Sequence, residues 1–182
     1  MADRVTYLVL PGYESSGPEH WQTRWEEADP AAFRRVQQED WDHPEPEAWV
    51  AAVDAAVAAA AADGPVVLVA HSLGCATVAR WVASAPAERT AVVRGALLVA
   101  PADIDNADVP ELFGFRPVAR EPFPFPAVVV NSPDDPWVTP ERGRGFAEAW
   151  GAQYVATGPH GHLNSASGLG DWPEGRKLLA GL

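Results

Sequence analysis

The sequence predicts a single α/β domain over residues 1–182, built on a mostly parallel sheet of about six strands with helices on both faces. Three observations carry that prediction. Short apolar, β-branched runs recur along the chain, segments with helical character separate most of them, and the runs in the middle of the chain are apolar at nearly every position. Alternation of this kind specifies parallel strands joined by helical crossovers. Continuous Val, Leu and Ala, without a polar face, are expected of strands covered on both sides.

Taken in order, the strands are expected at Val5–Leu10, Phe33–Gln37, Val66–Ala70, Ala96–Ala100, Ala127–Asn131 and Gln153–Ala156. Helices are expected at Pro18–Asp29, Pro46–Asp63, Leu73–Ala85, Pro140–Trp150 and Pro173–Leu182. Several open on Pro, whose fixed φ and missing N–H suit a first helical turn. The Ala-rich run 55–62 fits a helix lying close to a sheet, since Ala has the highest helix propensity and little bulk. Asp63-Gly64-Pro65 ends it. Trp21 and Trp25, four residues apart, share one helix face and are expected to pack in a core or interface. Residues 101–126 form the one long irregular stretch, with six Pro among 26 residues and four Phe. It reads either as a lid over a binding site or as a loop packed by its own Phe side chains.

Composition narrows the function. A chain of 182 residues with 47% hydrophobic content fills one substantial core and leaves no room for a large cap domain. A formal charge of −12 repels phosphate backbones and anionic lipid, so neither nucleic acid nor a membrane surface is an expected partner. The single Cys75 excludes an internal disulfide and is expected to be packed and inert. The apolar run at Val5–Leu10 is too short for a signal-peptide core or a membrane span, and a cytoplasmic location is expected.

The chemistry is concentrated at strand ends. Val66-Val-Leu-Val-Ala-His-Ser-Leu-Gly-Cys75 reads as a strand, a sharp turn carrying Ser72, and a helix. A nucleophile elbow of this form needs small residues two positions either side of the serine, here Ala70 and Gly74. No other Ser in the chain satisfies the pattern, although the segment alone also fits a helix-capping serine. A serine hydroxyl becomes a competent nucleophile when an imidazole takes its proton and a carboxylate orients the imidazole. Candidate acids Asp134 and Asp135 follow the strand Ala127–Asn131, and candidate bases His160 and His162 follow the strand Gln153–Ala156. The order Ser, Asp, His after successive buried strands belongs to one of the known triad arrangements. A metal site from the same Asp and His residues fits by ligand type but leaves the serine turn unexplained. No metal or organic cofactor is implied.

Leu10-Pro-Gly-Tyr13, Gly17, Pro18-Glu-His-Trp21, His71-Ser-Leu-Gly74, Ser132-Pro-Asp-Asp-Pro-Trp-Val138 and Gly161-His162 span nearly the whole chain. Together they resemble the small serine-hydrolase family typified by retinoblastoma-binding protein nine and its bacterial relatives, within the α/β-hydrolase superfamily. The resemblance implies a compact α/β-hydrolase fold, with Ser72 as nucleophile, Asp135 as acid and His162 as base. The chain departs from the family pattern at Pro11, Ala70 and Asn131. The oxyanion is expected to meet the backbone N–H groups of Leu73, at a helix N-terminus, and Tyr13, in the first loop. Trp137 is a candidate for lining the substrate pocket, or for anchoring the acid turn, while His71 is expected to point away from the nucleophile and His20 to be structural. The expected activity is hydrolysis of a small-molecule ester. Peptidase, amidase or thioesterase action with the same residues, or a protein-binding role that keeps the fold, are the alternatives.

Overall fold

The computed structural model describes residues 4–182. Six strands form one sheet: β1 (Thr6–Leu10), β2 (Phe33–Arg35), β3 (Val66–His71), β4 (Val93–Val99), β5 (Ala127–Asn131) and β6 (Gln153–Ala156). Their spatial order is β2-β1-β3-β4-β5-β6, and every neighbouring pair is parallel. Six α-helices accompany them: α1 (Trp21–Ala28), α2 (Pro46–Ala60), α3 (Leu73–Ser84), α4 (Ala87–Thr90), α5 (Pro140–Trp150) and α6 (Pro173–Leu179). The expected all-buried central strands are present, with every residue of β3 and β5 buried. Among the described residues, no helix is long and apolar enough to cross a membrane.

Strand alternation divides the core into two. Leu8, Leu68, Ala96 and Ala127 lie side by side in register and face a cluster completed by Trp49, Val53 and Val57 of α2, Trp81 of α3, and Phe146 and Trp150 of α5. Val9, Val69, Leu97 and Val128, one position on, face the opposite side, where Trp21 and Trp25 of α1 and Leu179 of α6 pack with Trp172. Each fully buried Val or Leu contributes roughly 1.5–3 kcal/mol, so the two layers together fix which way each strand-end side chain emerges. Trp21 and Trp25 meet edge to face with centroids 4.7 Å apart, the core packing that their spacing predicts.

Several element ends differ from those expected. The first helix begins at Trp21 and not Pro18, because His20 caps it: its Nδ1 accepts the Gln22 N–H at 3.2 Å. The fourth strand starts three residues before the predicted Ala96, at Val93, and α4 fills a stretch read as connection. Residues 101–126 are anchored by buried side chains at intervals along an otherwise exposed course. Phe115, Phe123 and Phe125 are buried, and Pro110–Phe115 form a 3₁₀ turn. Arg142 of α5 grips the segment through both oxygens of Asp103, at 2.8 and 2.7 Å, and through Asp105 at 3.1 Å. Arg116 donates to the carbonyls of Ile104 and Ala107. Only Phe113 stands out as a large exposed apolar side chain among the described residues.

Candidate active site

All the loops singled out by the sequence leave the C-terminal ends of strands, the edge where open parallel sheets bind ligands. Ser72 joins β3 to α3 with φ 54° and ψ −119°, a positive-φ conformation that a non-glycine residue adopts only where its surroundings enforce it. The tightness of the turn accounts for its flanking residues. A Cβ on Gly74 would lie 2.3 Å from the carbonyl oxygen of Leu10, and one on Gly12 would lie 2.9 Å from Ser72 Cβ. These two glycines let the elbow and the first loop touch. Ala70, in place of the family Gly, is completely buried in the α2/α3-side core.

Ser72 Oγ stands 2.9 Å from His162 Nε2. On the other side of the ring, Nδ1 is 2.9 Å from each carboxylate oxygen of Asp135. A neutral imidazole accepts at one nitrogen and donates at the other. Since Asp135 accepts only, the proton lies on Nδ1 and Nε2 is free to accept from the serine. The Trp137 N–H donates to Asp135 Oδ1 at 2.8 Å, so the carboxylate is fixed by its own turn as well. Asp135 and His162 are buried, with 8% and 9% of their surface exposed, while Ser72 opens onto the cleft.

The rival acid and base take other positions. Asp134 is exposed and its Oδ1 accepts from Ser132 Oγ at 2.6 Å and from the Gly161 N–H at 2.8 Å. These bonds hold its carboxyl below the usual carboxylate range. Asp134 therefore joins the acid turn to the histidine loop without reaching the His162 ring. His160 is exposed, and its N–H donates to Ser132 Oγ at 2.8 Å. Ser132, fully buried, thus stitches the same two loops from beneath.

The amides of Tyr13 and Leu73 have no hydrogen-bond partner among the described residues, and Leu73 opens the twelve-residue helix α3. The cleft has a volume of about 370 Å³. Its lining mixes apolar Ala102, Leu112 and Trp137 with polar Ser15 and Asn164. The Trp137 amide bonds within the acid turn, while its side chain lines the cleft with the ring 5.9 Å from that of His162.

His71 makes no hydrogen bond to Ser72 among the described residues; its ring lies 4.8 Å from the His162 ring, with Nε2 2.8 Å from the His162 carbonyl oxygen. Burial keeps it neutral, with a pKa well below the ordinary histidine value. His20 packs edge-on against it at 4.7 Å and is pushed down to about 3 by burial, then by Arg35 and His162. Gln22 was not singled out by the sequence. It is fully buried, donates to the carbonyls of Leu10 and Val69 at 3.2 and 3.0 Å, and accepts from Ser16 Oγ at 2.7 Å. A polar residue between Trp21 and Trp25, on a face that has to be apolar, was its only sequence signal. Cys75 is buried and burial raises its thiol pKa, as packing predicts. Among the described residues, no cluster of three or more His, Cys, Asp or Glu is arranged to hold a metal ion.

Comparison with known proteins adds to this geometry. The profile of a family described as serine hydrolase matches residues 7–181. A putative YdeN-like hydrolase from Pectobacterium atrosepticum superposes with a TM-score of 0.83 at 29% identity, covering 98% of this chain and 90% of its own. The ydeN gene product of B. subtilis gives 0.73 at 20% identity, with 98% and 97% covered. A thermophilic esterase from Thermogutta terrifontis gives 0.67 at 13% identity, with 97% and 88% covered. The latter two likenesses show the fold alone. Sequence comparison with curated proteins gave no match.

Proposed function

The chain belongs to the serine hydrolase family, and from that premise we propose that it cleaves small carboxylic esters through an acyl-enzyme on Ser72. The observation that carries the proposal is the hydrogen-bonded line from Ser72 Oγ through His162 to Asp135. His162 Nε2 takes the hydroxyl proton as Oγ bonds to the ester carbonyl carbon. The carbonyl oxygen becomes an oxyanion, which accepts from the N–H groups of Tyr13 and Leu73. Collapse breaks the bond to the alcohol oxygen, which leaves with the proton from His162. Water, deprotonated by the same nitrogen, then attacks the acyl-serine; the bond from the acyl carbon to Ser72 Oγ breaks, His162 returns the proton to Oγ, and the acid is released. Asp135 stays ionised throughout and stabilises the imidazolium.

The ester assignment rests on the site. The cleft of about 370 Å³ suits a short acyl or alcohol chain, and its mixed apolar and polar lining suits a neutral ester. Within the family, the motifs Pro18–Trp21 and Ser132–Val138 support a place near the group typified by retinoblastoma-binding protein nine.

A fluorophosphonate probe and a panel of matched esters, thioesters and amides test the proposal. The protein is expected to be labelled and to turn over short esters fastest, and Ser72→Ala to lose both labelling and turnover. Labelling that persists in Ser72→Ala, or an amide turned over faster than its matched ester, overturns it.

A further inference from the structure

Two motifs remain without a role in the chemistry: Trp21, at the end of the Pro18–Trp21 motif, and His71, next to the nucleophile. They meet at the same place. Strand alternation sends His71 to the side of the sheet that carries Val67 and Val69, which α1 covers. There the His71 Nε2–H donates to the carbonyl of His162 at 2.8 Å. The Trp21 Nε1–H donates to the next carbonyl, that of Leu163, also at 2.8 Å. Both donors are buried, at 5% and 1% exposure, so neither bond competes with water. The backbone they hold is unusual. Leu163 has φ 51°, a left-handed conformation for a branched, fully buried residue. Such a conformation persists only where its neighbours over-determine it.

We propose that His71 and Trp21 are positioning residues for the general base, their ring N–H groups clamping the consecutive carbonyls of His162 and Leu163 and so setting the reach from His162 Nε2 to Ser72 Oγ. The proposal rests on His162 acting as the base. It gives the early His20-Trp21 pair a single use: His20 caps α1 and packs on His71, and Trp21 reaches the histidine loop from the same helix end. A nucleophile on one strand and a base two sheet positions beyond its neighbour are thereby held by bonds other than the one that reacts.

The test uses three variants of the full chain. Trp21→Phe and His71→Phe each delete one N–H and keep an aromatic ring, and His71→Gln returns an N–H near the place of Nε2. Because a misplacement of about 1 Å can cost roughly 100-fold in rate, each Phe variant is expected to lose about 10- to 100-fold in kcat on p-nitrophenyl acetate with KM little changed. His71→Gln is expected to recover most of that loss. The double Phe variant should fall by less than the product of the two single losses, since both act on one loop. In parallel, the low-field proton NMR signal of His162 Nδ1–H should shift or broaden in the Phe variants and return in His71→Gln. Trp21 and His71 lie on different elements, so if one Phe variant does not fold the other carries the test. An unmoved His162 signal in a folded Phe variant, or a kcat loss that His71→Gln does not recover, overturns the proposal. A wild type that turns over no ester overturns the ester reading instead, and the NMR signal then decides the positioning role alone.

Discussion

Gly74 lies so close to the end of the first strand that a Cβ there would stand 2.3 Å from the Leu10 carbonyl oxygen and 3.0 Å from that of Pro11. Backbone, not a flexible side chain, occupies the space. Gly74→Ala is therefore expected to push the first loop outward and move the Tyr13 amide away from Ser72. Overpacking of this kind costs about 1–3 kcal/mol, a fall in Tm of roughly 2–12 °C for a chain of this size. Ester turnover should fall further than stability does, and thermal melting beside initial rates will show the difference.

The two adjacent acids separate cleanly. Asp135→Asn replaces the acceptor-only carboxylate by an amide whose NH₂ can donate to His162 Nδ1 and favour the wrong tautomer, and kcat should fall about 10⁴-fold, as when the acid of such a triad is neutralised. Asp134→Asn loses the carboxylate that accepts from Ser132 and Gly161 and should cost far less, on the order of 10-fold or below, by loosening the histidine loop. Steady-state rates of the two variants on one ester suffice. An equal loss would contradict this division of labour.

Acid should unfold the protein through its buried imidazoles. His20 has a folded pKa of about 3 against an ordinary 6.5, and His71 is lowered well below it too. The unfolded chain binds protons that the folded one refuses, so their contribution is fully present above about pH 6.5 and is lost as pH falls toward the folded pKa. The loss approaches about 1.4 kcal/mol per pH unit for each group. Urea midpoints measured from pH 7 down to pH 4 should fall, and less steeply in His20→Asn, which keeps the helix cap but not the buried imidazole.

Leu112 is buried and lines the cleft. Leu112→Ala should enlarge the cleft there and move the preferred ester toward longer chains. Each additional buried methylene contributes about 0.8 kcal/mol to binding. A chain-length series read as kcat/KM checks the shift, and an unchanged optimum would place the chain elsewhere in the cleft.

Much of this was legible in the sequence, for identifiable reasons. Runs such as Val66–Ala70 and the first four residues of Ala127–Asn131 are apolar throughout because both faces of the sheet are covered, and the residue pattern records that directly. The acid and base loops follow from chain order. What stayed hidden were contacts between side chains and distant carbonyls. His71 lies 91 residues from the carbonyl it holds and Trp21 lies 142 from its own. Nothing local encodes either bond. Adjacent Asp134 and Asp135 posed a similar problem, since the turn sends one carboxylate inward and the other outward, and spacing cannot distinguish them. The start of α1 was misplaced because Pro18 advertises a first turn more loudly than His20 advertises a cap.

The grip of Arg142 on Asp103 and Asp105 joins the segment that follows β4 to α5, the helix that follows the acid turn. One guanidinium thereby ties together the chain leaving two neighbouring strands, so a displacement of α5 is carried to the first residues of the 101–126 segment.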